Sequence, residues 1–341
     1  MTRTHQRIVR ATTLIAALLL TALATGCGEK EDVLEPGEPR PLTLMLDYFP
    51  NADHAGIYAA EANGDFAEAG LDVTIRQPPD PAAPIKQVAA GRVDLAISYE
   101  PEVLRARDQG LRVVSIGAVV RKPLASIISL PKAGIRDPSD LEGKTVGTAG
   151  IDYQSAYLRT ILTDAGVAPG SVTERNVGFN FVPALLTGRV DATLGAFWNY
   201  EGTQLRLDGR RPRIVRMEQA GVPTYDELVL VANESALERD GGKLRAFVAA
   251  LARGTRQLAR NPAQGVQALL DANPDLDPSL QRAVVRVTLP LFLPPAGRPF
   301  GWQAPDEWQA FAAWMRENRL LTEIPDAGGA FTNEFLPGQG L

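Results

Sequence analysis

The sequence predicts an α/β protein built from two similar lobes, each with a mixed but mostly parallel sheet. The chain has 341 residues, and about two domains are expected at roughly 150 residues each. Short apolar runs alternate with amphipathic stretches, which is typical of βαβ units. The tetrapeptide Gly-Arg-Val-Asp occurs twice, at Gly91–Asp94 and at Gly188–Asp191, in matching contexts. Two similar lobes explain this repetition.

The first half of the chain predicts a series of strands separated by helices. The strands are the short apolar runs at 42–46, 71–75, 94–98, 113–120 and 126–130. The helices are the amphipathic stretches at 54–69, 82–90 and 101–109. Because helices separate successive strands, we expect most neighbouring strands to be parallel.

A second series of the same kind follows and ends in helices. Its elements are expected at 145–148, 153–165, 172–177, 182–186, 192–197, 214–217 and 228–231. After Asn233 apolar residues recur at helical spacing, for example Leu244, Phe247 and Leu251. Trp308, Phe311 and Met315 repeat that spacing, and we interpret them as core residues.

The repeated tetrapeptide locates a candidate ligand-binding cleft. Each copy ends a helical stretch and opens a strand that runs into an aromatic residue and an acid. These are Tyr99-Glu100 in the first copy and Trp198–Glu201 in the second. Ligands of open α/β sheets bind beyond the carboxyl ends of the strands. The sequence therefore predicts a cleft between the lobes that is lined by aromatic rings and carboxylates.

Composition excludes several kinds of site. The chain has one cysteine and two histidines, so neither a disulfide framework nor a cysteine- or histidine-rich metal site is expected. The net charge is −5 and no basic block is present in the sequence, which argues against nucleic acid as a partner. We expect no metal, no cofactor and no catalytic residues.

The amino terminus is typical of an export signal. Arg3, Arg7 and Arg10 precede an uncharged run, Ala11–Gly26, that is too short for a membrane-spanning helix. Its end resembles a bacterial lipobox, with the lipid on Cys27. We therefore expect a lipoprotein signal peptide at 1–26 and a polar lipidated tether at 27–41. The body would be anchored outside the cytoplasmic membrane or face the periplasm.

Several motifs give a more specific resemblance. Leu46–Tyr58 and Gly64–Val73 resemble the opening of one family. That family joins bacterial solute-binding proteins for thiamine pyrimidine precursors with fungal enzymes that make the pyrimidine phosphate. Four later segments fit its bacterial branch, namely Asp140–Gly147, Phe197–Glu201, Gly221–Leu228 and Phe331–Leu336.

The resemblance implies the type II periplasmic-binding-protein fold, with two lobes joined by a hinge of two crossing strands. Lobe 1 is expected at 42–132 plus 234–341, and lobe 2 at 133–233. The crossings are expected near Leu130–Gly134 and Leu228–Asn233, and the C-terminal helices should return to lobe 1.

The resemblance also implies a function as the solute-binding lipoprotein of an ABC importer. The ligand would be a small aromatic heterocycle of the hydroxymethylpyrimidine or formylaminopyrimidine type, and the partners would be the permease and ATPase subunits. We expect the binding protein to be a monomer. Aromatic rings can stack on such a ligand, and carboxylates can accept hydrogen bonds from its amino group. The candidate ligand-binding residues are Asp47, Tyr48, His54, Tyr99, Glu100, Tyr153, Trp198, Asn199, Glu201, Tyr225, Asp226 and Glu227.

Alternatives remain open at this point. Each of those acids could instead be solvated or cap a helix, and His54 could be a structural residue near a helix start. The ligand could be riboflavin, or a sulfonate or nitrate, since relatives of the same fold bind such anions. The alternative from another class is the pyrimidine phosphate synthase. That enzyme needs a cysteine-rich iron motif, whereas the matching segment here, Val222–Asp226, contains no cysteine.

Overall fold

The computed structural model describes residues 37–322 and 327–338. The predicted signal peptide, Cys27 and most of the predicted tether lie outside the described residues. Within the described ranges, no helix is both long enough and apolar enough to cross a bilayer. The strands form two mixed sheets of five strands each, with helices around them. The predicted two-lobed α/β class is therefore confirmed.

The first sheet contains four parallel strands and one antiparallel strand. Its strands are β1 (Arg40–Met45), β2 (Leu71–Arg76), β3 (Leu95–Ser98), β4 (Val113–Val120) and β10 (Leu228–Asn233). Their order is β2-β1-β3-β10-β4. Strand β10 pairs antiparallel with both of its neighbours, whereas β1 pairs parallel with β2 and β3.

The second sheet repeats this arrangement. Its strands are β5 (Ala125–Ser129), β6 (Thr145–Thr148), β7 (Thr173–Asn176), β8 (Ala192–Phe197) and β9 (Arg213–Arg216). Their order is β7-β6-β8-β5-β9, and β5 is antiparallel to both of its neighbours. The antiparallel strand thus occupies the fourth position in both sheets.

Helices connect the parallel strands and then complete the chain. Those that accompany the first sheet are α1 (Ala55–Ala62), α2 (Asp65–Glu68), α3 (Ala83–Ala89) and α4 (Glu100–Asp108). The second sheet has α5 (Asp152–Asp164), α6 (Phe181–Leu186) and α7 (Glu201–Leu207). The C-terminal helices are α8 (Glu234–Arg239), α9 (Gly241–Arg260), α10 (Pro262–Ala272), α11 (Pro278–Phe292), α12 (Pro305–Glu317) and α13 (Ala327–Ala330). The helix predicted at 54–69 is interrupted between α1 and α2, where Gly64 has a φ of +77°.

The repeated tetrapeptide has the same structural role in both sheets. Asp94 and Asp191 precede β3 and β8, which hold equivalent central positions. The Asp94 carboxylate accepts the N–H of Thr43 in β1 at 2.8 Å. The Asp191 carboxylate accepts the N–H of Thr145 in β6, also at 2.8 Å. Each aspartate therefore ties the start of its own strand to the neighbouring parallel strand, so the predicted similarity of the two halves extends to single hydrogen bonds.

The passages between the sheets differ from the predicted crossings. Strand β5 belongs to the second sheet, so the chain leaves the first sheet at residues 121–124 and not near Leu130–Gly134. It returns within residues 217–227, and Leu228–Asn233 is already a strand of the first sheet. The run of apolar residues at 126–130 fits a strand of either sheet. The predicted boundaries at 132/133 and 233/234 are corrected accordingly.

The C-terminal helices return to the first sheet, as predicted. Helix α9 packs on α1 so closely that a Cβ atom on Gly254 would lie 2.5 Å from the backbone nitrogen of Ala60. Phe331 forms a parallel bridge with Ser115 of β4. Trp308, Phe311 and Met315 are buried, which confirms their interpretation as core residues. The first lobe is therefore built from both ends of the body.

The close approach of α1 and α9 gives a stability prediction. Gly254→Ala should lower the free energy of unfolding by about 1–3 kcal/mol, because the added methyl group must displace a helix backbone. Gly170→Ala is the matched control, since its Cβ would meet no atom within 4 Å. Urea denaturation of both variants would measure the difference. Equal stabilities would contradict this account of the packing.

Candidate functional site

A cavity lies between the carboxyl ends of the two sheets. Residues that follow β1, β2, β3, β6 and β7 line it together with residues in and just after β8. It encloses about 460 Å³ of space not occupied by atoms, open solvent at its mouth included. The lining residues are Asp47, Tyr48, Asn51, Asp53, Pro81, Tyr99, Ala149, Ile151, Tyr153, Gln154, Phe179, Phe181, Gly195, Phe197, Tyr200 and Glu201.

Asp47 is held in one orientation by two donors. Its Oδ2 accepts the hydroxyl of Tyr99 at 2.9 Å, and its Oδ1 lies 2.8 Å from Nε2 of His54. The backbone N–H of Asn51 donates to Nδ1 of the same imidazole at 3.3 Å. Because Nδ1 is an acceptor, the ring proton lies on Nε2 and is donated to Asp47. Both carboxylate oxygens are thus engaged before any ligand enters.

Glu201 is a second buried acid at the cavity, and its pKa is raised. It begins α7, and its Oε2 accepts the N–H of Phe197 at the end of β8, at 2.7 Å. Burial raises the pKa of Glu201 to about 7, although the Phe197 hydrogen bond acts in the opposite direction. Near neutral pH this carboxyl can therefore either donate or accept a proton within the cavity.

Asp53 is a third buried acid at the cavity. Its Oδ1 accepts a hydrogen bond from Nδ2 of Asn199 at 2.7 Å, and its Oδ2 has no hydrogen-bond partner among the described residues. Burial, followed by the charge of Asp47, raises the pKa of Asp53 well above its usual value. The cavity lining contains three acids and, within the described ranges, no lysine, arginine or histidine.

Two groups of aromatic rings line the cavity. In one group the Tyr48 ring meets the Phe179 ring edge-on, with centroids 4.7 Å apart, and lies 6.4 Å from the Tyr200 ring. The Tyr48 hydroxyl also donates to the carbonyl oxygen of Phe179 at 2.9 Å, which joins the two halves. In the other group the rings of Tyr99 and Tyr153 lie 5.9 Å apart. An aromatic lining of this kind suits a flat, apolar ring system with polar edges.

The structure brings five of the predicted ligand-binding residues to the cavity. These are Asp47, Tyr48, Tyr99, Tyr153 and Glu201. His54 lies behind Asp47 and orients it, which agrees with the structural alternative for this residue. Asn199 does not line the cavity, because its amide is turned toward Asp53 and Thr288.

Trp198 was predicted as a stacking ring, but it does not line the cavity. Its Nε1 donates to the carbonyl oxygen of Pro123 at 3.0 Å, in the first passage between the sheets. The guanidinium of Arg216 covers its ring at 4.1 Å from the centroid. The chain turns sharply after β8, and this turn directs the indole to the hinge and leaves Tyr200 at the cavity.

The remaining predicted acids hold the passages between the sheets together. Asp226 donates its backbone N–H to Glu100 Oε2 at 2.7 Å and accepts Nε1–H of Trp308 at 2.9 Å. Glu227 Oε2 accepts the N–H groups of Leu124 and Ala125 at 2.6 and 2.8 Å. Burial raises the pKa of all three acids.

Tyr225, also predicted to bind ligand, lies among these acids, with its hydroxyl 3.2 Å from Glu227 Oε2. These four residues (Glu100, Tyr225, Asp226 and Glu227) are absent from the cavity lining. Their contacts instead connect the two passages with each other and with α12.

Several lining residues are not among those that the sequence predicts to bind ligand. Asn51 and Asp53 lie inside the Leu46–Tyr58 motif, and Tyr200 is adjacent to Glu201. Their positions in these motifs could have identified them as candidate ligand-binding residues. Phe179 and Phe181 lie in and just after the loop that follows β7, and no pattern in the sequence distinguishes them from core residues. No cluster of three or more metal-ligating side chains occurs in the described part of the chain.

Comparison with known proteins matches this chain to one protein family and to several of its relatives. Residues 51–265 match the protein family described as NMT1/THI5 like. A formylaminopyrimidine-binding protein from Halalkalibacterium halodurans is 36% identical over 94% of this chain and 96% of its own length. A 4-amino-5-hydroxymethyl-2-methylpyrimidine phosphate synthase from Legionella pneumophila is 25% identical over 87% and 92%.

A solved structure with the same fold is that of the alkanesulfonate-binding protein from Xanthomonas axonopodis pv. citri bound to MOPS. The TM-score is 0.68 at 20% identity, and the match covers 87% of this chain and 99% of that one. The predicted type II periplasmic-binding-protein fold is confirmed by this likeness and by the two mixed sheets.

The contacts of His54 predict its tautomer. The body of the protein contains this single histidine, since the other is His5. A long-range ¹H–¹⁵N NMR spectrum should show a protonated Nε2 and an unprotonated Nδ1, because Asn51 donates to Nδ1. Asp47→Ala should leave Nδ1 as the acceptor but abolish any hydrogen-bond shift at Nε2. A proton on Nδ1 in the unaltered protein would contradict the arrangement around Asp47.

Proposed function

Because the chain belongs to the NMT1/THI5-like family, we propose that it is the solute-binding protein of an ABC importer for a pyrimidine precursor of thiamine. The ligand would be of the formylaminopyrimidine or hydroxymethylpyrimidine type. The observation that carries this proposal is the cavity, where a buried acid with a pKa of about 7, Glu201, shares the lining with several aromatic rings. The relatives support it, since one of them is named for binding formylaminopyrimidine.

Glu201 offers what the edge of an aminopyrimidine requires. Such an edge presents an amino N–H donor beside a ring nitrogen that accepts. A protonated carboxyl matches it, because the O–H donates to the ring nitrogen while the other oxygen accepts from the amino group. In Glu201 the oxygen Oε2 is already oriented by the N–H of Phe197. The pair would therefore share one proton near neutral pH.

The aromatic rings of the lining would contact the flat faces of the ligand. They form two groups, one of Tyr48, Phe179 and Tyr200 and one of Tyr99 and Tyr153. Contacts between aromatic rings contribute roughly 0.5–1.5 kcal/mol beyond the area they bury. These rings come from both lobes, so a bound ligand favours lobe closure about the passages at 121–124 and 217–227.

The same cavity disfavours the anionic alternatives. A sulfonate or nitrate needs positive charge or charge-assisted donors around its oxygens. The described lining contains three carboxyl groups and no cationic side chain, so its side chains offer an anion no charge-assisted donor. Riboflavin has a flat ring system as well, and a direct competition experiment with the pyrimidine would separate the two.

A transport role also accounts for the sequence better than an enzymatic one does. The pyrimidine phosphate synthases in the family are represented by more distant relatives, at 25% identity or below. The segment Val222–Asp226 contains no cysteine for the iron motif of the enzyme branch. We therefore propose a binding protein without catalytic activity, acting as a monomer that delivers its ligand to the permease and ATPase subunits.

We further propose that the protein is exported and anchored by lipid on Cys27. The basic residues and apolar run before Cys27 support a signal peptide. A diacylglyceryl group carries two acyl chains, which is sufficient for stable membrane attachment.

The role of Glu201 predicts a pH dependence of binding. Above about pH 7 the free carboxyl of Glu201 has lost its proton, so each complex must take one up. Affinity for formylaminopyrimidine should then fall by up to about tenfold per pH unit. Glu201→Gln should bind with little pH dependence between pH 7 and roughly 9, because the amide permanently offers a donor and an acceptor. Calorimetry at several pH values measures both.

Glu227→Gln is the matched control for this experiment. The pKa of Glu227 is also raised to about 7, but its carboxyl holds the backbone at Leu124 and Ala125, outside the cavity lining. This variant should keep the pH dependence of the unaltered protein. Tight binding of nitrate or taurine, or an unaltered pH profile in Glu201→Gln, would contradict the proposed site.

The anchoring proposal is tested by Cys27→Ser. Cells expressing the unaltered protein should incorporate labelled fatty acid into it and retain it in the membrane fraction. The Cys27→Ser variant should be unlabelled and should leave the membranes under mild extraction. An unaltered protein that is unlabelled and freely soluble would show that the cysteine is not lipidated.

A further inference from the structure

The side chain of Asn199 connects the two lobes through hydrogen bonds that have no part in the ligand contacts described above. Its Nδ2 donates to Asp53 Oδ1 and to Thr288 Oγ1, both at 2.7 Å. Asn199 follows β8 of the second sheet, whereas Asp53 follows β1 of the first and Thr288 lies on α11. Both amide hydrogens are therefore committed to acceptors on the first lobe.

The direction of these bonds is fixed by the surrounding contacts. The Thr288 hydroxyl donates its own proton to the carbonyl oxygen of Val284 at 2.9 Å, so it can only accept from Asn199. The Asn199 side chain is fully buried, and its Oδ1 has no hydrogen-bond partner among the described residues. A buried, unpartnered carbonyl is costly. The two hydrogen bonds to the first lobe offset that cost, and they require Asn199 to stay in contact with Asp53 and Thr288 across the lobes.

Asp53 links this contact to the ligand site. It lines the cavity and at the same time accepts from Asn199. Another contact between the lobes is longer, since Gln281 Nε2 lies 3.4 Å from the Tyr200 hydroxyl. Among the described residues, the 2.7 Å contact of Asn199 with Asp53 is also shorter than the 2.9 Å contact that joins the lobes between the Tyr48 hydroxyl and the Phe179 carbonyl.

We propose that Asn199 is a positioning residue that holds the lobes closed over the ligand without touching it. The proposal rests on the proposed function only for the identity of the ligand. Loss of the amide should favour the open form and speed ligand release, because the closed form loses two bonds that the open form does not contain. Ligand association, which occurs in the open form, should change little.

Closure can be measured separately from binding. Spin labels at Glu68→Cys and Arg189→Cys, both at exposed positions on opposite lobes, report the distance between the lobes in a Cys27→Ser background. Asn199→Ala should reduce the closed population with and without formylaminopyrimidine. It should raise the dissociation rate and weaken affinity by roughly 5-fold to 100-fold, the range expected for the loss of two buried hydrogen bonds. Thr288→Val should act in the same direction with a smaller effect.

Asn199→Asp adds a readout that loss of packing would not produce. The introduced carboxyl would face Asp53, and Asp47, Glu201, Glu227 and Tyr200 are the other titratable groups that act on Asp53 or are acted on by it. Two facing carboxylates repel when both are ionised, whereas at lower pH a shared proton restores a hydrogen bond between them. The closed population and the affinity of this variant, relative to the unaltered protein at each pH, should therefore recover on acidification.

Asn261→Asp is the matched control, because Asn261 is an exposed helix-capping residue of α10 and aspartate caps equally well. It should leave closure, affinity and melting temperature unchanged. An unchanged closed population in Asn199→Ala would overturn the proposal, as would an Asn199→Asp variant whose relative affinity does not respond to pH. If the unaltered protein fails to bind the pyrimidine while Asn199→Ala still shifts the ligand-free distances, the proposed function fails and the role of Asn199 stands.

Discussion

Burial of carboxyl groups between the two sheets is the constraint on which the rest of the site depends. Asp47, Asp53 and Glu201 border a cavity whose described lining contains no cationic side chain. A buried acid is tolerated only if it is protonated or receives hydrogen bonds. The donors come from each neighbouring element, such as His54 for Asp47 and the Phe197 backbone for Glu201. The fold is thus arranged around these acids before a ligand adds its own donors.

The two halves place acids at equivalent positions but use them differently. Glu100 and Glu201 each begin the helix that follows the central parallel strand of their sheet. Glu201 borders the cavity, whereas Glu100 accepts from the backbone of Asp226 in the second passage between the sheets. The sequence motif is the same at both sites, an aromatic residue followed by an acid. Only the surrounding chain decides which acid remains available to a ligand.

This explains what could and could not be predicted from the sequence. Strands β4, β6 and β8 match the predicted spans, and β4 and β8 are mostly apolar runs between clear breaks. The repeat at Asp94 and Asp191 indicated the two similar halves. The passage at 121–124 was misplaced, since an apolar strand does not reveal which sheet it joins. The orientation of Trp198 could not be predicted from the sequence either, because it depends on a turn whose indole N–H donates to the carbonyl oxygen of Pro123.

Strand β10 has a consequence for the order in which the protein folds. It lies between β3 and β4, yet the whole second sheet separates it from them in the chain. In the native sheet β3 and β4 each pair with β10 and not with each other, so neither has its native partner on that side until β10 is made. A nascent chain that ends before Leu228 therefore exposes one apolar edge on β3 and one on β4. The backbone groups of these edges stay unpaired until β10 arrives, and such edges are prone to aggregation. The first lobe is begun first and completed last, and a chaperone that shields β4 during that interval would act on the least protected stage of synthesis.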